Sequence, residues 1–178
     1  APSIEFSDIS VLRTTAVADP DDTCIGGSPR FQINVDTNSD GDADANAFAY
    51  VEVAPGVCPP GGDTGNLAET GGPGDIVGRW DTSQLVAGTQ VSTYTATAAL
   101  FAAHPTWQVV GIQLVVDAGW AHLDGEQAVT VNPDVEVDFG VPTTANDCKN
   151  GRWEFSHRTD GTGFRNQGEC IKYVNTGR

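Results

Sequence analysis

Basic side chains are scarce in this sequence: Lys and Arg total 9 against 24 Asp and Glu, for a formal net charge of -15. So acidic a chain repels phosphate backbones and anionic lipid headgroups, so neither nucleic acid nor a membrane surface is an expected partner of its main body. Histidine is rarer still, with His104, His122 and His157 alone. Serines are few and no G-x-S-x-G elbow occurs, which removes the commonest signature of a serine hydrolase. Asp117, Asp124 and Glu126 are spaced to offer a glycosidase-like carboxylate pair, yet an acidic chain brings such pairs together by chance. The expectation is a protein that is not an enzyme. No apolar run reaches the length of a membrane span, so membrane insertion is not expected.

Cysteines number 4, with no CxxC and no Cys/His cluster at zinc spacing. Disulfides are favoured over a metal site. Three pairings are open to four cysteines, and the nearest-neighbour one, Cys24–Cys58 with Cys148–Cys170, closes two modest loops and is the expected pattern. Disulfides call for an oxidising compartment. The first residues, Ala-Pro-Ser, look like a terminus left by signal-peptide cleavage. A secreted address, extracellular or at the cell surface, is expected.

What the chain does contain is organised as strands. Residues 30–36 alternate Phe31, Ile33 and Val35 with Gln32, Asn34 and Asp36, the period of two of a half-buried strand. Residues 47–53 read as its return strand, 109–117 as a central strand, 128–139 as another, and 2–13 as a shorter pair. The Gly/Pro-dense stretch 55–75 reads as a long surface loop. One helix is expected over 92–103, with Ser92 as the cap candidate and Pro105 ending it. The fold class expected is all-β, a jelly-roll-like β-sandwich with one short helix and a small disulfide-stapled C-terminal β-hairpin. Charge divides the chain in the same way. Residues 1–146 hold 20 acids and 3 bases, whereas 147–178 hold 4 acids and 6 bases. The expected domains are an acidic body, 1–141, and a basic tail module, 142–178. A tail so short buries little apolar surface by itself and is expected to dock on the body or on a neighbouring molecule.

The sharpest motif is the loop DTNSDGDAD. Asp36, Asn38, Asp40 and Asp44 stand at positions one, three, five and nine, Gly41 at six, and Asp42 at seven. Calcium takes six to eight oxygens, and alternate residues of a tight loop aim theirs at one centre. This loop resembles the EF-hand-like loops of dockerins and thrombospondin-type repeats. It departs from them at position twelve, where Ala47 replaces the bidentate Glu. The resemblance implies a structural Ca2+ at a hairpin tip, with its last ligand supplied from elsewhere.

Four tryptophans, Trp80, Trp107, Trp120 and Trp153, offer flat faces of the kind that stack on sugars. Trp120 and Trp80 are the glycan-binding candidates, and a polysaccharide is the partner they imply. The segments SPRFQINVD, FAYVEV, GRWDTSQL and GIQLVVDAGW together resemble a class of bacterial secreted proteins without assigned activity. The tail pattern C-K-N-G-x-W…F-x-N-Q-G-x-C-x-x-Y-V resembles a short C-terminal module found on many of them, with Arg152 in place of the usual Gly. The function expected is a calcium-stabilised structural subunit of an extracellular assembly, a filament or surface layer. In it each basic tail docks on the next acidic body, a heterologous contact that yields an open polymer. The other expectation is a carbohydrate-binding or adhesion module.

Overall fold

The computed structural model describes residues 3–16, 29–52, 57, 63–115, 131–137, 140–149 and 151–177. Described strands are β1 (Ile9–Ala16), β2 (Arg30–Asp36), β3 (Ala45–Tyr50), β4 (Trp80–Asp81), β5 (Gln108–Val115) and β6 (Val131–Val137). The helices are α1 (Tyr94–Ala102) and α2 (Gln167–Thr176). The fold is mostly strand. Four strands form an antiparallel sheet in the order β4-β3-β2-β5, and β1 pairs with β6 in a second sheet. The chain divides into two compact units, Ser3–Glu136 and Val137–Arg178, with the divide ahead of the expected one at Val141.

The alternation in β2 does what its period demands: Phe31, Ile33 and Val35 are fully buried and the residues between them are half-buried. Opposite them β3 places small side chains, Ala49 against Phe31 and Ala47 against Ile33. The larger Phe48 and Tyr50 lie on the other, half-exposed face, where Arg30 sits over the Phe48 ring. The 109–117 run was expected at the sheet centre, but β5 ends the strand order and β2 takes the interior place. Ile4 covers part of that edge, exchanging backbone hydrogen bonds with Val109. A chain segment that brings its own partner can leave a strongly apolar strand at the margin.

Residues 63–75 are not the surface loop that their Gly and Pro content suggests. Leu67 is fully buried, and residues 64–67 run beside β1, where Leu67 N–H donates to the Leu12 carbonyl at 2.7 Å and Asn66 Oδ1 accepts from Leu12 N–H. Gly74 lies so close to Leu67 that an added Cβ would meet its carbonyl oxygen at 1.9 Å. Helix α1 is capped by Thr93 rather than Ser92; the Thr93 hydroxyl accepts from Ala96 N–H at 3.2 Å. The Ser92 backbone is already engaged by Trp80 and Gly78, which removes it from the cap. α1 buries Thr97 and Phe101, and Phe101 stacks on Phe6 at 4.3 Å. Arg79 is the least expected core residue: it is 1 % exposed and one guanidinium nitrogen reaches the Tyr50 carbonyl, while among the described residues Nε and Nη2 have no hydrogen-bond partner. Burial pulls its pKa down to about 10.

The C-terminal unit is helical where a hairpin was expected. Cys148 and Cys170 are joined as anticipated, and with Phe164 they form its core, flanked by Trp153, Ile171, Tyr173 and Val174. The aromatic and β-branched residues of CIKYV suggested a strand. Their ends decide otherwise: the Asn166 side chain accepts from Glu169 N–H at 2.9 Å, the Glu169 carboxylate accepts from Arg165 N–H, and Gly177 closes α2 at φ 70°. Trp153 lies in a 3-10 turn, Arg152–Phe155, and one isolated bridge, His157 with Gly163, is all that remains of the hairpin among the described residues. Arg158 ties this unit together, 2.8 Å from Glu169 and over the Phe164 ring at 4.5 Å.

Candidate functional site

The acidic loop is the connection between β2 and β3, so Asp36 closes one strand and Asp44 immediately precedes the other. Asp36 is buried at the end of β2, while Asn38, Asp40, Asp42 and Asp44 are exposed. Carboxylates and amides crowded at alternate positions need donors. Here the backbone supplies them. Asp36 accepts from the N–H groups of Asn38 (3.0 Å), Ser39 (2.6 Å) and Gly41 (2.7 Å). Asn38 Oδ1 accepts from Asp40 N–H and Asp40 Oδ1 from Asp42 N–H, both at 2.9 Å. Asp44 closes the ring, taking Thr37 N–H at 2.8 Å and the Thr37 hydroxyl at 2.9 Å on one oxygen, and the Asn38 amide at 3.0 Å on the other.

Two residues must bend sharply for this. Gly41 has φ 92°, which glycine adopts without strain, and Ser39 has φ 68°, the sole non-glycine positive φ among the described residues. Burial pulls the Asp36 carboxyl upward, and the N–H groups of Gly41, Ser39, Asn38 and Asp40 together outweigh it. Its pKa therefore lies below the ordinary carboxylate value.

All five expected ligand residues thus share one hairpin tip, and the donor set is all oxygen, as a hard cation prefers. Among the described residues no group of three or more His, Cys, Asp or Glu side chains is placed to hold a metal ion. Asp36, Asn38, one Asp40 oxygen and Asp44 take N–H and O–H donors of the loop. Among the described residues nothing donates to the Asp42 carboxylate or to the second Asp40 oxygen. The tip also reaches sideways, where the Ser39 hydroxyl donates to the Thr106 carbonyl at 3.4 Å.

Trp80 is not a glycan platform. It is fully buried, edge-on to Phe6 at 5.6 Å and tilted against Tyr94 at 5.8 Å, so it has no face to give a sugar. A two-residue strand carried its indole inward, and nothing local in GRWDTSQL announces the distant Phe6 that covers it. Trp120 lies outside the described residues, as do Cys24, Cys58, Asp117, His122, Asp124 and Glu126. His104 is held by the end of α1, its Nδ1 2.9 Å from the Leu100 carbonyl. His157 stands in the C-terminal unit, with Nδ1 2.9 Å from the Arg158 carbonyl. What sequence reasoning missed is a pocket of about 370 Å3 beside His104 and Trp107. The signal present was a half-polar tryptophan following the proline that ends α1. Among the described residues no helix is long and apolar enough to cross a membrane. No protein-family model, curated protein or solved structure matches the chain.

Proposed function

We propose that this chain is a secreted structural subunit of an extracellular filament or surface layer, joined tail to body and stiffened at the 36–44 tip by calcium. In this reading the two sheets belong to a jelly-roll-like sandwich. The observation that carries it is the charge division: 20 acids against 3 bases in residues 1–146, and 6 bases against 4 acids in residues 147–178. Support also comes from the way the basic end is built. It has its own core and its own disulfide, which suits a unit that engages another molecule. Arg158 is spent internally on Glu169 and Phe164. Lys149, Arg165 and Lys172 are exposed, leaving positive charge for a partner. A partner of opposite charge is available in a second copy of the chain. The disulfide and the acidic surface fit an extracellular address.

For calcium, support comes from the five oxygen-bearing side chains on one tip, with Asp40 and Asp42 keeping unengaged carboxylate oxygens. Asp36, Asn38, Asp40, Asp42 and Asp44 would hold the ion, which would supply the positive charge the tip lacks.

Sedimentation velocity and negative-stain microscopy across a salt series test the assembly. Polymers are expected at low salt and should shrink as salt rises, because exposed ion pairs are screened. Reversing Lys149, Arg165 and Lys172 to Glu together should leave monomers at every salt concentration. Uniform monomers of the unaltered chain, at high protein concentration, low salt and with calcium present, would reject the reading.

A further inference from the structure

The end of α1 and the turn into β5 face the segment Glu5–Ser7 across a pocket of about 370 Å3. That is the lower part of the range of about 300–1,000 Å3 in which proteins hold small molecules. Its apolar side is Phe6 and Phe101, both buried. Its rim is polar: Glu5 and Ser7 are exposed, and Tyr94, His104 and Trp107 are half-buried. The rim is rigid. His104 N–H donates to the Phe101 carbonyl at 2.9 Å and Trp107 N–H to the His104 carbonyl at 3.0 Å. The His104 and Trp107 rings lie parallel, 3.9 Å apart. A carbonyl only accepts, so His104 Nδ1 carries the hydrogen it shares with Leu100, and in the neutral ring Nε2 is an acceptor. Among the described residues, the Tyr94 hydroxyl and the Trp107 indole N–H make no hydrogen bond. The rim therefore offers two donors, with Glu5 and His104 Nε2 as acceptors.

That chemistry narrows the ligand. An anion would enter against Glu5 and a body of 20 acids. A wholly apolar ligand would cover the Tyr94 hydroxyl and the Trp107 indole N–H and leave them unpaired, which costs more than it gains. An alkylammonium accepts no hydrogen bond, so it would leave the Tyr94 hydroxyl and the Trp107 indole N–H unpaired. A hexopyranose has an apolar C–H face and a ring of hydroxyls that both donate and accept. We propose that this pocket binds a neutral hexopyranose, its C–H face on the aliphatic side made by Ala98, Ala102 and Pro105 and its hydroxyls on Glu5, Tyr94, His104 and Trp107. The site goes beyond the structural role and needs neither polymer nor calcium.

The test follows the Trp107 indole N–H resonance of the full-length chain, assigned with Trp107→Phe, during titration with glucose, galactose, mannose and N-acetylglucosamine. Tetramethylammonium and sulfate serve as the cationic and anionic comparisons. Expected is a saturable shift with at least one sugar, in the millimolar range, and none with either ion. Glu5→Gln should weaken it about tenfold, the loss of one charge-assisted hydrogen bond. Ala98→Leu should fill the pocket and abolish the shift; Glu5 is exposed, so its variant tests the site even where Ala98→Leu fails to fold. No shift with any sugar, a saturable shift with tetramethylammonium, or sugar binding unchanged by Glu5→Gln would overturn the proposal.

Discussion

Replacing Cys148 and Cys170 together by serine is expected to melt the C-terminal unit and spare the body. The disulfide joins residues 22 apart in sequence, and closing a loop of that length in the unfolded chain is worth about 3 kcal/mol. The core it clamps is small. Cys148 and Cys170 are fully buried, Phe164 nearly so, and four more side chains are only partly covered around them. Units below roughly 70 residues seldom draw more than about 3–5 kcal/mol from their cores. Losing about 3 kcal/mol removes most of that margin, and two serine hydroxyls in place of buried sulfur lower it further. Hydrogen exchange read by mass spectrometry measures the effect locally. Protection of the α2 amides should fall by about a hundredfold or more, since each 1.4 kcal/mol is a factor of about ten. The amides of β2 and β3 should keep theirs. Arg158→Ala is the companion variant: a partly exposed ion pair and a cation over a ring are worth about 1–2 kcal/mol, so α2 should loosen without melting. Full protection of α2 in the double serine variant would refute the reasoning, because the helix would then be held by something other than its staple.

Calcium at a hundred times its dissociation constant should add about 2.7 kcal/mol, or roughly 5–10 °C in melting temperature for a chain of this size. Asp40→Asn with Asp42→Asn should abolish that shift without changing the melt in chelator, and a chelator-insensitive melt of the parent would dismiss the ion. On the acid side, hydrogen bonding from the Arg13 guanidinium holds Asp63 at about 2, against an ordinary 3.8. A carboxyl depressed by folding contributes stability that is present above its unfolded value and lost as pH falls through its folded one, so this contribution disappears between about pH 4 and pH 2. Arg13→Ala should raise the Asp63 midpoint toward 3.8 by NMR titration, and a midpoint still near 2 would contradict the assignment. Gly74→Ala should cost more than about 3 kcal/mol, measured by denaturant unfolding, because its methyl would collide with the Leu67 carbonyl at 1.9 Å and backbone must move. A near-neutral result there would mean that the 3-10 turn Pro73–Asp75 gives way freely.

The parts of the fold legible in sequence are those set by local period and local chemistry. β2 announces itself through Phe31, Ile33 and Val35, and the tip through its alternate acids and Gly41. The tail staple followed from cysteine spacing. What was not legible depends on residues far apart in the chain. Trp80 is exposed or buried according to whether Phe6 and Tyr94 arrive beside it, and a two-residue strand carries no period to say so. α2 has strand-like residues, and its helix is decided at the ends by Asn166, Glu169 and Gly177 and at its centre by the Cys170 anchor. Leu67 and Gly74 sit in a composition typical of loops, yet the β1 backbone bonds the segment and draws it inward. The pocket is of the same kind, assembled from residue 5 at one end of the sequence and residue 107 in its middle.

Ser39 connects the tip to that pocket. Its left-handed backbone costs a non-glycine residue about 1–2 kcal/mol, and the Asp36 carboxylate holds it there through a 2.6 Å hydrogen bond from its own N–H. Held in that conformation, its hydroxyl reaches the Thr106 carbonyl, one residue before Trp107. Through this contact the proposed cation, by tightening Asp36, would steady the turn on which the indole stands. The proposed cation and the proposed sugar would then be coupled through one serine. Ser39→Gly should remove that coupling: it relieves the strain and deletes the hydroxyl, so the tip would keep its carboxylate ring while the pocket lost its brace. Sugar affinity compared with and without calcium, in the parent and in Ser39→Gly, reads the coupling directly. An equal calcium effect in both chains would show that the Ser39 contact transmits nothing.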